Sequence, residues 1–153
     1  MNGADVRTGI VARYSPVLER HLQVGRAASR VISVSFPTDP DPDAESDDPL
    51  LDRLFEYLDG TEDSFEDVSI AMTLSGGRRD ALETLRSVPY GRRVSVEQLA
   101  RMTPGLDPSA DESTVTAALS GNPTPILIPD HRVRDHVGAT PEPVRQTLLD
   151  IER

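Results

Sequence analysis

Asn122-Pro123-Thr124-Pro125-Ile126-Leu127-Ile128-Pro129-Asp130-His131-Arg132-Val133 is the stretch on which the reading of this chain turns. Pro125 and Pro129 enclose the apolar run Ile126, Leu127 and Ile128. A short apolar run bounded by prolines reads as a buried strand. Asp130, His131 and Arg132 follow at once, so titratable side chains sit where the chain leaves the core. Asn122, directly before Pro123, suits a turn cap.

The segments around this stretch are mostly helical. Downstream, Thr140-Pro141 opens a last helix with Val144, Leu148 and Ile151 on its apolar face. Upstream, Ser109 with Glu112 has the spacing of a capping box and predicts a helix over about 110–120, with Gly121 at its C-terminal end. Ser95 with Gln98 has the same spacing and predicts a helix over 95–102. Residues 78–87 carry Ala81, Leu82 and Leu85 and stop at the turn tripeptide Pro89-Tyr90-Gly91. Two short helices, a strand and a last helix fit a winged helix-turn-helix. Many small α+β domains share that pattern, so it is weak by itself.

The front of the chain reads as strands plus one helix. Residues 8–14 are apolar enough for a strand. Residues 30–36 alternate, with Ile32, Val34 and Phe36 on one face and Ser33 and Ser35 on the other. Residues 37–49 hold Pro37, Pro40, Pro42 and Pro49 with five Asp and one Glu, a solvated loop. Asp48-Pro49 then starts a helix, and Gly60 ends it. Its stripe of Leu50, Leu51, Leu54, Phe55 and Leu58 reads as core rather than as a partner surface. Val68, Ile70, Met72 and Leu74 alternate as a further strand.

Composition bounds the function. The 153 residues make one ordinary domain or two very small ones. There is no Cys, which removes disulfides, thiolate metal sites and cysteine nucleophiles. No apolar run approaches the roughly 20 residues of a bilayer span, and no segment after Met1 reads as a signal peptide. We expect a soluble, cytoplasmic monomer with no membrane contact. There are 26 acidic and 16 basic residues, a net charge of −10, and all the basic residues are Arg. Acid excess without Lys suggests a halophile cytoplasm near saturating salt, where the Debye length at about 1 M is only about 3 Å. A coding bias that replaces Lys with Arg is the rival reading.

The charge is uneven. Residues 1–70 carry 15 acids and 6 Arg, whereas residues 71–153 carry 11 acids and 10 Arg. We therefore expect an acidic N-terminal α/β subdomain over 1–70 and a separate winged-helix domain over 71–153, an α+β protein in all. Arg78, Arg79, Arg86, Arg92, Arg93 and Arg101 form the basic segment and are candidates for phosphate contacts. Arg92 and Arg93 precede a helix start at Ser95, whose amide donors also suit a phosphate. Pairing of these Arg with nearby acids is the alternative. In molar salt counterion release contributes little to phosphate attraction. His21, His131 and His136 lack zinc-like spacing. Gly76-Gly77 is not a phosphate loop, because the further Gly and the Lys are absent. No metal or cofactor is expected.

One series of short words is more specific. Val88-Pro89-Tyr90-Gly91 is followed by Val94-Ser95 and Gln98-Leu99-Ala100. Val115, Ala118-Leu119 and Asn122-Pro123 come next. Then come Pro125 to Pro129, His131-Arg132-Val133 and Leu148-Leu149-Asp150-Ile151-Glu152. Over about residues 72–153 this resembles the DNA-binding, active-site domain of the O6-alkylguanine-DNA alkyltransferases, the methylated-DNA–protein-cysteine methyltransferases. It also resembles their non-catalytic relatives, the alkyltransferase-like proteins. Residues 1–70 fit the family's small N-terminal domain only in strand-helix order.

The resemblance implies a chemistry that this chain lacks. The family flips a damaged guanine into a pocket, where a cysteine takes the alkyl group irreversibly. In the family word Pro-Cys-His-Arg-Val, the cysteine position is Asp130 here. The network that polarises the cysteine matches Asn122, His131 and Glu152. A His held by a Glu is a general-base arrangement; a purely structural tie between strand and last helix is the alternative. The resemblance places double-stranded DNA, with or without an alkylated guanine, against Arg92, Arg93, Ser95, Val96, Ser113, Thr114, Thr116, Ala117 and Arg132, and implies excision-repair proteins as partners. Three departures accompany the lost cysteine. The family Tyr after the Ser is Val96, the Arg that fills the gap of the flipped base is Ser113, and only Gly138 remains of the Gly-Gly-Tyr loop that closes the pocket. Asp130 itself has three readings: a neutral structural position, a carboxylate that reads a base edge, or an Asp nucleophile forming a hydrolysable ester. The leading expectation is a non-catalytic alkyltransferase-like DNA-binding protein linked to repair. Its rivals are a scaffold or regulator without lesion binding, and an Asp-based alkyl acceptor.

Overall fold

A computed structural model describes residues 9–153. Strands β1 (Gly9–Ser15), β2 (Arg20–Ala27) and β3 (Arg30–Ser35) form an antiparallel sheet in the order β1-β2-β3. Strand β1 is the one expected over 8–14; Thr8 lies outside the described residues. Strand β2 gave no clear signal, because only Leu22 and Val24 are inward-facing apolar residues among Arg20, His21, Gln23 and Gly25.

The face assignment of β3 needs correction. Val31 and Val34 are buried, whereas Ile32 is 40% exposed. Gly25 pairs with Ser33 and Arg26 with Val31, so Ile32 is an extra residue in the ladder. Such a bulge turns one side chain out and reverses the alternation beyond it. Ile32→Thr is therefore expected to change stability by less than about 0.5 kcal/mol. Val31→Thr buries a hydroxyl and should cost about 1–3 kcal/mol. Urea unfolding of the two variants checks this, and equal losses would refute the bulge.

Helix α1 (Pro49–Leu58) starts as its sequence predicts. The Asp48 side chain accepts from Leu50 N and Leu51 N, and Pro49 occupies the first turn, where a missing N–H costs nothing. Asp48 is 2% exposed and takes a two-pronged bond from Arg26 of β2, at 2.7 and 2.8 Å. The cap therefore also clamps the helix to the sheet.

The strand expected over 68–74 does not form. Ile70 makes a single parallel bridge to Val31. Val68 and Ile70 then pack on one core while Ile70, Met72 and Leu74 pack on another. The segment thus leaves the sheet to bind two apolar surfaces. Helix α2 (Gly76–Leu85) begins two residues before the expected start and ends two before the expected end. Helix α3 (Val96–Met102) has the expected capping box between Ser95 and Gln98. Helix α4 (Glu112–Ser120) has Asp111, not Ser109, at its N-cap. Asp107 accompanies the shift: its carboxylate takes both the N–H and the hydroxyl of Ser109 and holds that Ser in the turn before the helix.

The expected strand within 125–129 is a tight turn instead. Ile128 N donates to Thr124 O at 2.9 Å, and Ile126 has a positive φ of 75°. Pro125 and Pro129 cannot donate to a ladder, so only the single Pro125–Ile128 bridge forms. Helix α5 (Glu142–Ile151) closes the fold, with Val144 and Leu148 buried as expected.

The quoted stretch matters because it joins two cores. Ile126 and Leu127 pack with the sheet, α1, Val144 and Leu148. Ile128 and Val133 pack with α2, α3 and α4. Asp130 to Arg132 are therefore held from both sides.

Candidate functional site

Asp130 opens a single 3-10 turn, Asp130–Arg132, directly after the apolar run. It is 0% exposed. Its Oδ1 accepts from the Thr140 hydroxyl at 2.6 Å, and its Oδ2 accepts from Asn122 Nδ2 at 2.9 Å and Ala139 N at 3.1 Å. Asn122 Nδ2 also donates to Ile128 O at 2.8 Å, and Asn122 Oδ1 accepts from Thr124 N, so the amide has a fixed orientation. Gly138 lies against the carboxylate; a methyl group there would come within 2.9 Å of Asp130 Cβ.

Burial pushes the Asp130 carboxyl above the usual carboxylate range, and the bonds from Thr140 and Asn122 only partly oppose this. The folded state therefore holds the proton more tightly than the unfolded chain. The contribution of this group is most favourable below its ordinary value of 3.8 and declines as the pH rises through the folded value. Asp130→Asn removes the buried charge and is expected to raise stability at pH 7 by about 1 kcal/mol. Thermal melts at pH 7 check this; a clear loss of stability would count against it.

A second network surrounds Glu152, the residue after α5. Glu152 Oε2 accepts from His131 Nε2 at 2.7 Å, from Arg132 Nη2 at 2.9 Å and from the Tyr57 hydroxyl. Oε1 accepts from Arg132 Nε at 2.9 Å and from Gly91 N at 3.1 Å. Burial alone would push the Glu152 carboxyl up, but the bonds from His131, Arg132 and Tyr57 outweigh it and hold the group well below the usual range. Burial, with the Glu152 charge next, pushes the Tyr57 phenol far up. A carboxylate only accepts, so Nε2 is the protonated nitrogen of His131. Its Nδ1 is buried without a hydrogen-bond partner.

The four residues singled out in the sequence thus come together, but as two separate networks. Asn122 serves Asp130, and His131 serves Glu152. Among the described residues no hydrogen bond joins the two. The expected His131–Glu152 tie is present. Arg132, expected on the DNA, is corrected: it is 5% exposed, binds both Glu152 oxygens and donates to Val88 O at 2.8 Å. Its guanidinium is fully engaged inside the fold.

The other expected contacts lie around α3 and α4. Arg92 and Arg93 are exposed. Ser95 uses its hydroxyl to cap α3. Val96 is 5% exposed and packs in the second core, so it has no outward face. The phosphate site expected at the α3 start is also corrected: Asp135 Oδ1 accepts from Val96 N at 2.8 Å and Ser95 Oγ from Gln98 N at 3.0 Å. Ser113 is exposed on α4, while Thr114, Thr116 and Ala117 are half-buried. Of the basic segment, Arg79 and Arg101 pair with Glu83 and Glu97 one helical turn away. Arg86 donates to Phe65 O and Val68 O. Arg78, Arg92 and Arg93 form no ion pair among the described residues.

Five contributors escaped the sequence reading: Tyr57, Gly91, Asp135, Ala139 and Thr140. Only Tyr57 carried a signal, a phenol on the apolar stripe of α1, because a buried hydroxyl needs a partner.

Known proteins resemble this chain in sequence and in fold. Residues 77–152 match the family described as 6-O-methylguanine DNA methyltransferase, DNA binding domain. A methylated-DNA–protein-cysteine methyltransferase of Methanopyrus kandleri is 31% identical over 106 residues, covering 67% of this chain and 77% of the relative. The crystal structure of Mycobacterium tuberculosis O6-methylguanine methyltransferase superposes with a TM-score of 0.71 at 21% identity, covering 94% of this chain and 93% of that one. The same organism's OGT in complex with DNA superposes at 0.70, with 20% identity and 94% and 91% coverage. The family match, the relative and the fold converge: this chain belongs to the 6-O-methylguanine DNA methyltransferase family.

Proposed function

We propose that this chain is a non-catalytic, DNA-binding member of its family, which recognises O6-alkylguanine damage and serves DNA repair, with excision-repair proteins as partners. One observation carries the non-catalytic part. The nucleophile position holds a carboxylate that is 0% exposed and accepts three hydrogen bonds. Such an oxygen has no free approach to an alkyl carbon, which weighs against an Asp-based acceptor. DNA binding is supported by family membership, by a relative solved with DNA and by the exposure of Ser113 on α4 and of Arg92 and Arg93. The interface comprises Arg92, Arg93, Ser95, Ser113, Thr114, Thr116 and Ala117. The acid excess fits a monomer working in a salt-rich cytoplasm.

The test is a fluorescence-anisotropy titration in about 2 M KCl, which screens the generic phosphate attraction. A duplex holding one O6-methylguanine is compared with the same duplex holding guanine. Several-fold tighter binding to the lesion is expected. Equal binding to both favours a scaffold or regulator without lesion recognition, a reading supported by the sealed position of Asp130.

A further inference from the structure

The sheet has two edges, and the chain covers them unequally. Along β3, Val31 N donates to Ser69 O, Ala71 N to Val31 O and Val34 N to Pro123 O, each at 2.9 Å. Along β1 the cover among the described residues is Glu45. Its N–H donates to Ile10 O at 3.2 Å, and its carbonyl accepts from Ala12 N at 2.8 Å. Glu45 lies near the end of a strap that leaves β3 at Phe36 and crosses the sheet. Leu22 and Val24 face the core, so Gln23 between them faces the other way. Gln23 Oε1 accepts from Asp41 N at 2.8 Å, which seats the strap over the middle strand. Arg13 of β1 holds the far end, with Nη2 donating to Ser46 O at 2.7 Å. Ala12, which pairs with Gln23, is 7% exposed although it points away from Leu22 and Val24.

An edge strand is a template for another chain. In an antiparallel ladder, alternate residues turn both backbone groups away from their partner strand. Ala12 does so here, and Ile10 and Tyr14 share its phase. No strap residue hydrogen-bonds Tyr14, which is 51% exposed. The outward row is self-complementary. Two copies related by a two-fold axis at Ala12 set Ile10 of one opposite Tyr14 of the other, a β-branched and aromatic pair of the kind that stabilises sheets. We propose that β1 is a latent homodimer edge, and that residues 37–46 are a strap that competes for it and keeps the chain monomeric. Pro37, Pro40 and Pro42 cannot donate to a ladder, and Asp39, Asp41, Asp43 and Glu45 carry charge. The strap therefore closes the edge without offering a new one. Pairing stops at two copies, because the chain itself covers the β3 edge.

The experiment is sedimentation velocity in about 2 M KCl, where screening removes the mutual repulsion of two copies that each carry a net charge of −10. Circular dichroism shows that each variant is folded. Glu45→Pro removes the donor to Ile10 O and should strengthen self-association about tenfold over the unaltered protein. Gln23→Ala frees the strap at Asp41 without altering the edge, and should strengthen it several-fold even where the proline variant fails to fold. Adding Tyr14→Asp to either variant should restore the monomer, because a carboxylate then faces Ile10 of the other copy. The chain has no Cys, so one introduced cysteine reports the register. In either strap variant, Ala12→Cys should link the two copies on oxidation, since directly opposed, hydrogen-bonded residues lie about 5.5 Å apart at Cα. Val17→Cys, in the exposed turn after β1, should not. Folded but monomeric strap variants overturn the proposal, and so does a dimer that Val17→Cys links as readily as Ala12→Cys.

Discussion

Replacing Glu152 by Ala is expected to destabilise the protein by about 3–5 kcal/mol, the usual cost of leaving a buried charge without its partner. The partner is Arg132, whose guanidinium binds both Glu152 oxygens and is 5% exposed. The same change strands the Tyr57 hydroxyl, His131 Nε2 and Gly91 N, which all donate to this carboxylate. For a chain of this length the melting temperature should fall by roughly 10 °C. Differential scanning calorimetry measures it. A loss under about 1 kcal/mol would mean that water or another acceptor replaces Glu152 readily.

The acid limb reports the same hub. The folded Glu152 carboxyl lies below its ordinary value of 4.5, so its contribution is complete above that value and is lost as the pH falls through the folded value. Asp48 acts in the same direction: burial raises it, but Arg26 and the amides of Leu51 and Leu50 hold it below 3.8. Asp130 acts oppositely, being raised. Stability should therefore fall below about pH 4.5, where carboxylates begin to take up protons. In Glu152→Gln this slope should be shallower, because the titrating group is gone. Urea midpoints at pH 7, 4 and 3 separate the two slopes.

How far the sequence reveals this molecule depends on how local each determinant is. Asp48-Pro49 and Ser95 with Gln98 are legible because a cap is chosen within four residues, and both act as written. Ser109 with Glu112 obeys the same rule yet fails; Asp107, two residues earlier, holds the serine in the turn before the helix. Strand β2 and the Ile32 bulge are set by pairing across the sheet, which a period-2 pattern does not record. The family words point to Asn122, Asp130, His131 and Glu152, and the fold does gather them. The same words misplace Arg132. A basic residue in a DNA-binding domain reads as a phosphate ligand until Glu152, twenty residues away, claims it. Val96 is similar, since only the packed core shows that it faces inward.

Asp48→Ala is the second large loss expected, at about 3 kcal/mol or more. Two terms add. Losing the N-cap of α1 costs about 1 kcal/mol, and stranding Arg26, whose side chain is only 10% exposed, adds the penalty of an unpaired buried charge. Asp48→Asn keeps an acceptor for Leu50 N or Leu51 N while losing the ion pair, so it should fall between Ala and wild type. Thermal unfolding of the three proteins ranks them; equal losses for Asn and Ala would assign the whole effect to charge. The consequence reaches the site, because α1 carries Tyr57 to Glu152. A cycle of Asp48→Ala with Tyr57→Phe should show a coupling above about 0.5 kcal/mol, although the two residues stand at opposite ends of the helix. Independent sites so far apart would add without coupling. A measured coupling therefore makes α1 a rigid brace from the sheet to the buried Glu152 hub, which is what the clamp between Arg26 and Asp48 is placed to provide.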